Sequence, residues 1–231
     1  YEIPLRLVGS EMCIRDRIAA YQLIGSTEHG HLKQVLDLFT QTAAEICGGQ
    51  QFDMEFESRM DVSEEEYIEM IRLKTAVLLA CSLKTGALLG GASQEDAGNL
   101  YAFGINIGLA FQLQDDLLDV YGDTATFGKN IGGDILCNKK TFLLINALRL
   151  ANKEQAEALR SWMDKKEFDP AQKIQAFTSI YNELQLKQLT ENKIQAYYDA
   201  SVENLKALQV APEKLTILKA VSYTHLRAHE T

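Results

Sequence analysis

The sequence predicts an all-α protein, and three observations carry that expectation. Its 231 residues contain only three prolines, and no stretch shows the sustained apolar–polar alternation that a half-buried strand needs. Apolar side chains recur instead at helical spacing, as in Leu32, Val35, Leu36, Leu38, Phe39, Ala43 and Ile46. Finally, Asp115, Asp116 and Asp119 sit inside an otherwise apolar segment at separations of four and three, which places them on one face of a helix. With 46% hydrophobic residues the chain has enough apolar content for one sizeable core. A net charge of −9 argues against a nucleic-acid partner.

Residues 1–17 stand apart, because the apolar periodicity does not continue across Arg15-Asp16-Arg17. Leu7 to Arg17 reads like adapter sequence carried over from cloning, as does the tail from Val221. Residues 1–17 and 221–231 are therefore expected to be foreign, and 18–220 to form one helical domain. His225 and His229 lie in that tail, four apart and without a third ligand, and are read as accidental. Ile18 to Ile24 reads as the end of a helix whose beginning is missing. Glu28 to Gly48 reads as a helix with His29 and His31 on its surface. Gly48-Gly49 then marks either a helix break or a close helix crossing.

Ser63 with Glu66 forms a capping box that opens a helix running to about Cys81. Ser82 to Gly91 extends it with small residues and stops at Gly90-Gly91. Glu95 to Tyr121 is the central helix. Gly104, Gly108 and Ala110 permit close neighbours there, while Phe103, Ile107, Phe111 and Leu118 supply bulk. Asp123 reads as a turn residue. Beyond it, 141–150, 154–165, 170–186 and 190–208 read as further helices that support the bundle, with Pro170 and Pro212 at first-turn positions. Four separated cysteines without a CxxC pair suit reduced thiols in the cytoplasm, with Cys47, Cys81 and Cys137 expected to be packing residues. No apolar run reaches transmembrane length, so no integral membrane association is expected.

The chemistry centres on Phe111-Gln112-Leu113-Gln114-Asp115-Asp116-Leu117-Leu118-Asp119. Three like charges on one helix face are destabilising unless a cation neutralises them. Mg²⁺ suits them, because it takes one or two carboxylates, keeps waters and bridges to phosphates. The bland reading is a solvated acidic face, but the aspartates follow an uncharged run from Ala97 to Gln114 that looks buried, and buried carboxylates need partners. Downstream, Phe127-Gly128-Lys129-Asn130-Ile131-Gly132-Gly133-Asp134 is a glycine-rich loop with a lysine, followed by Lys139 and Lys140. Such a loop approaches an anion closely. Lys74, among apolar residues, reads either as a snorkelling lysine or as a phosphate-binding point charge.

Taken in order, these segments resemble the trans-isoprenyl diphosphate synthases of the polyprenyl synthetase family. That family's pattern runs FQxxDDxxD, then GKxxGxD, then a lysine five residues on. Phe111, Gln112, Asp115, Asp116, Asp119, Gly128, Lys129, Gly132 or Gly133, Asp134 and Lys139 match it. The resemblance implies an isoprenoid-synthase-type helix bundle around a central cavity. It also implies Mg²⁺-dependent condensation of isopentenyl diphosphate with an allylic diphosphate, and a homodimer at full length. On the same grounds Asp115, Asp116, Asp119 and Asp134 would hold metal. Lys74, Lys129 and Lys139 would hold diphosphate, and Lys74, Thr75 and Gln112 would lie near the reacting carbon. Gln50 and Asp53 match a GQxxD motif and, with Phe111, would line the cavity.

The family's first aspartate-rich motif does not occur between Tyr1 and Asn99. The chain is therefore expected to be N-terminally truncated and inactive by itself. Two other classes remain. One is a non-catalytic regulatory subunit of a heteromeric synthase. The other is a terpene cyclase or a di-iron bundle. The di-iron form is disfavoured because it needs a Glu-x-x-His motif from each of two helices, and the sequence has one, Glu28 to His31.

Overall fold

The computed structural model describes residues 5–27, 29–122 and 131–220. Helix α1 spans Leu5–Gly25 and α2 spans His29–Ser58. Helix α3, Glu64–Ile71, passes through a wide π-type turn at Arg72–Ala76 into α4, Val77–Leu89. Helix α5 spans Gln94–Tyr121. The short α6, Gly133–Leu136, follows, then α7, Phe142–Leu150, and α8, Lys153–Asp164. Helices α9, Pro170–Glu183, and α10, Leu186–Lys206, lead to a 3₁₀ turn at Pro212–Leu215. No strand occurs among the described residues, and none of their helices is long and apolar enough to cross a membrane.

Local chemistry sets the helix starts. The Ser63 hydroxyl accepts from the Glu66 amide at 3.1 Å, while the Glu66 carboxylate accepts from the Ser63 amide at 2.9 Å. This is the expected capping box, satisfying two amides that a helix start leaves without partners. Ser93 caps α5, Thr141 caps α7, and Asp169 caps α9 directly before Pro170.

Helix α5 runs through the centre. Its Leu109, Ala110, Leu113 and Leu117 are buried in one cluster with Tyr67, Met70, Phe142, Leu143, Phe177 and Tyr181. Each large apolar side chain withdrawn from water contributes roughly 1.5–3 kcal/mol. Helix α4 lies antiparallel to α5 and very close to it. A Cβ on Gly104 would stand 2.5 Å from Ala80 Cα, and one on Gly108 would stand 2.7 Å from Ala76 Cα. Helix α10 packs along α5 as well, where Asn106 Nδ2 donates to Asn204 Oδ1 at 2.9 Å.

Helix α1 is continuous from Leu5 to Gly25, with Arg15, Asp16 and Arg17 exposed along it. Of the two readings of Gly48-Gly49, the close crossing holds: α2 runs through the pair, and a Cβ on Gly49 would stand 2.5 Å from the Lys74 backbone nitrogen. One sequence expectation needs correction: of the three cysteines whose side chains are described, Cys81 is buried as expected, while Cys47 and Cys137 are exposed.

Candidate active site

Helices α2, α3 and α5, with α6 and the turn after it, bring the polar residues together. The capped α3 directs Tyr67 inward, where it is 1% exposed, and its hydroxyl donates to Asp116 Oδ2. Asp116 is itself 2% exposed. Its second oxygen accepts from Gln112 Nε2 at 3.2 Å, one turn back on α5. Gln112 Oε1 in turn accepts from the Thr75 hydroxyl at 3.1 Å. Thr75 therefore connects through Gln112 to Asp116, and both oxygens of that carboxylate have donors.

The π-type turn at 72–76 explains how neighbouring residues serve two helices. The Val77 amide reaches back to the Arg72 carbonyl, which widens the helix by one residue, a distortion common at functional sites. Lys74 consequently faces α2, with its ammonium 2.6 Å from Asp53 Oδ2, while Thr75 faces α5. The Gly49 crossing is what allows α2 to come this near.

Helix α6 and the turns at its two ends supply the second half. Asp119 Oδ2 accepts from the Asp134 amide at 3.0 Å, and the Gly132 amide donates to the Asp119 carbonyl at 2.6 Å. Of the two glycines that fit the family pattern, Gly132 is the one the backbone requires, at φ +83°. Lys139 Nζ lies 3.5 Å from Asp134 Oδ1.

The electrostatics record this crowding. Burial raises the Asp116 carboxyl to about 7; the Tyr67 hydrogen bond, Lys139 and Gln112 pull it down and Asp134 pushes it up. Burial also raises Asp119, against the amides of Asp134 and Gly133. Burial alone would lower the Lys139 ammonium, but Asp134, Asp116 and Asp53 together raise it. Lys139, just after α6, thus senses Asp53 on α2, Asp116 on α5 and Asp134 on α6. Beside them, an apolar cavity of about 440 Å³ is lined by Thr75, Leu78, Leu79, Phe103, Ile107 and Phe111.

The structure brings together Asp53, Lys74, Thr75, Gln112, Asp116, Asp119, Asp134 and Lys139, and it places Phe111 in the cavity wall. Asp115 is half-buried on α5, one residue before Asp116, whereas Gln50 is exposed on α2. Gly128, Lys129 and Asp123 lie outside the described residues. Tyr67 went unnoticed in the sequence. Its only signal there was a hydroxyl within the buried run Tyr67, Met70, Ile71.

A family model described as polyprenyl synthetase matches residues 14–181. The chain belongs to the polyprenyl synthetase family. Over 158 residues it is 39% identical to a short chain isoprenyl diphosphate synthase of Methanothermobacter thermautotrophicus, covering 68% of this chain and 48% of that protein. The crystal structure of a geranylgeranyl pyrophosphate synthase superposes with a TM-score of 0.85 at 36% identity, over 90% of this chain and 65% of that one. A second such synthase, from Corynebacterium glutamicum and complexed with isoprenyl diphosphate and magnesium, gives 0.79 at 29% identity, over 95% of this chain and 60% of that one. The chain spans between about half and two thirds of the length of these relatives. The all-α architecture is that of the polyprenyl synthetases it resembles.

The donor set fits a magnesium ion, whose preference is for carboxylate oxygens. Among the described residues no three His, Cys, Asp or Glu side chains converge into a site that holds an ion unaided.

Proposed function

We propose that the chain is the diphosphate- and metal-binding part of an isoprenyl diphosphate synthase, which condenses isopentenyl diphosphate with an allylic diphosphate. The observation that carries this reading is the convergence of Asp53, Asp116, Asp134 and Lys139 beside an apolar cavity that Thr75 and Phe111 line. Asp115 and Asp119 would hold Mg²⁺, with Asp116 and Asp134 behind them. Asp116 suits the supporting place because Tyr67 and Gln112 already occupy its oxygens. When bound, the ion supplies charge neutralisation of the diphosphate leaving group.

The chain's own residues account for the rest. Lys74 and Lys139 present ammonium groups to diphosphate oxygens, and Lys129 is the third cation of the set. In the absence of substrate Asp53 and Asp134 hold the first two in place, so little ordering is needed when the anion arrives. Gln112 fixes the Thr75 hydroxyl at the mouth of the cavity, where it faces the carbon that loses diphosphate. Leu78, Leu79, Ile107 and Phe111 exclude water from that carbon, as an allylic cation requires.

A homodimer at full length is part of the proposal, on the resemblance to the family. A cytoplasmic location goes with it. These 231 residues alone are expected to show no condensation, because among the described residues α5 is the one aspartate-rich helix beside the cavity.

The test is an assay with isopentenyl diphosphate, an allylic diphosphate and Mg²⁺, on a chain in which the natural sequence preceding Ile18 replaces residues 1–17. Product formation is expected, with Asp115→Ala slowing it by about a hundredfold or more. An Asp115→Ala rate near that of the unmutated protein contradicts the assignment.

A further inference from the structure

Lys173 is a lysine with no exposed surface, on the first turn of α9 and well outside the residues assigned above. Its ammonium donates to the Leu136 carbonyl at 3.2 Å and to Asn138 Oδ1 at 2.7 Å. The Phe168 ring lies 4.3 Å away and the Phe177 ring 5.9 Å away, faces that attract a cation. Asn138 stands in the left-handed region, at φ +55°, where few residues but glycine rest comfortably. Its side-chain amide donates to the Met163 carbonyl at 3.0 Å. The next residue on α9, Ile174, packs against Gly132, with its Cδ1 2.6 Å from where a Cβ would be.

Both acceptors of Lys173 lie between Asp134 and Lys139. The chain reverses across those residues, so that the Lys139 amide donates to the Asp134 carbonyl at 2.9 Å and the two side chains meet at 3.5 Å. Packing alone does not call for a lysine here. A methionine fills the same volume without the desolvation cost of a buried ammonium.

We infer that Lys173 is a positioning residue: its ammonium clamps the turn from Leu136 to Asn138 and thereby holds Asp134 and Lys139 facing one another for ligand. This inference rests on the proposed role of Asp134 and Lys139 in binding metal and diphosphate.

Two variants of the full chain test it. Lys173→Met removes the cation and keeps the volume. Asn138→Gly removes the acceptor and relaxes the left-handed backbone. Hydrogen exchange should show the amides of residues 136–139 opening about tenfold faster in each, with α5 and α7 as protected as before. The double variant should be looser by less than the sum of the two single effects, because the Lys173–Asn138 bond is common to both. Affinity for inorganic diphosphate in the presence of Mn²⁺ should fall about tenfold, as it does when groups that orient metal ligands are lost. Unchanged exchange at 136–139 in Asn138→Gly overturns the inference even if Lys173→Met fails to fold. Faster exchange with undiminished affinity also overturns it, leaving Lys173 a stability residue. If the unmutated chain binds no diphosphate with Mn²⁺, the functional reading fails separately, and the exchange data still decide whether Lys173 holds the turn.

Discussion

Burial lifts the Asp116 carboxyl to about 7, whereas an aspartate in the unfolded chain titrates near ~4. Between those values the folded protein holds a proton that the unfolded chain has released, so stability falls as pH rises through that window. Without metal the full effect is on the order of 4 kcal/mol. Urea unfolding of the chelator-treated protein should show this decline from about pH 4 to 7, and Asp116→Asn should flatten it; an equal slope in both proteins would remove Asp116 as the cause. The Tyr67 hydroxyl acts on the same group, since its hydrogen bond lowers the carboxyl. Tyr67→Phe should therefore push Asp116 higher still and cost about 1–3 kcal/mol, the penalty for a buried acceptor left short of a donor. Carbon-13 detection of the Asp116 carboxyl through a pH titration reads the shift, and a midpoint that stays put or moves down would show that the hydroxyl is not its donor. The sequence marked Asp116 by its spacing. It did not mark Tyr67, because a tyrosine 49 residues away along the chain reaches the carboxylate only through the α3–α5 packing.

The crossing of α4 on α5 sets the spacing of the whole site, and small residues set the crossing. Gly108→Val should force the Ala76 backbone outward, disturb the Thr75–Gln112 bond, and cost about 1–3 kcal/mol, as overpacking a close contact does. Gly98→Ala lies on the same helix with nothing within 4 Å of the new Cβ, and should stabilise by up to ~1 kcal/mol through helix propensity. Thermal melts of the two variants should thus move in opposite directions; a fall in both would show that the glycines are not distinguished by the crossing. At this scale much was legible. Ser63 and Glu66 announced the start of α3, and Gly104 and Gly108 announced a close neighbour. The π-type turn at 72–76 was not legible, because one extra residue in a helix leaves the apolar pattern on either side intact. The same limit hid the continuity of α2 through Gly48-Gly49: a glycine pair says that the backbone needs room, and only the partner helix shows whether the room is for a bend or a crossing. Lys173 was hidden for a related reason, since its acceptors at Leu136 and Asn138 lie far from it in sequence.

At the scale of the molecule, one aspartate-bearing helix stands over an apolar cavity, and Leu78, Leu79 and Phe111 along its wall are exposed at 48%, 41% and 40%. The relatives are longer chains, and the proposal gives this part of the family fold a definite share of the work, namely holding metal and diphosphate. The motif order from Phe111 to Lys139 made the family legible. The meeting of Asp53 with Lys74, and the nearness of Asp53 to Lys139, had to come from the fold. The share of work can be measured without any condensation, by calorimetric titration of the chain with inorganic diphosphate in Mg²⁺ and again in chelator. Binding should require Mg²⁺ and be lost in Asp115→Ala. Diphosphate that fails to bind in Mg²⁺, or that binds equally in chelator and to Asp115→Ala, would contradict the account.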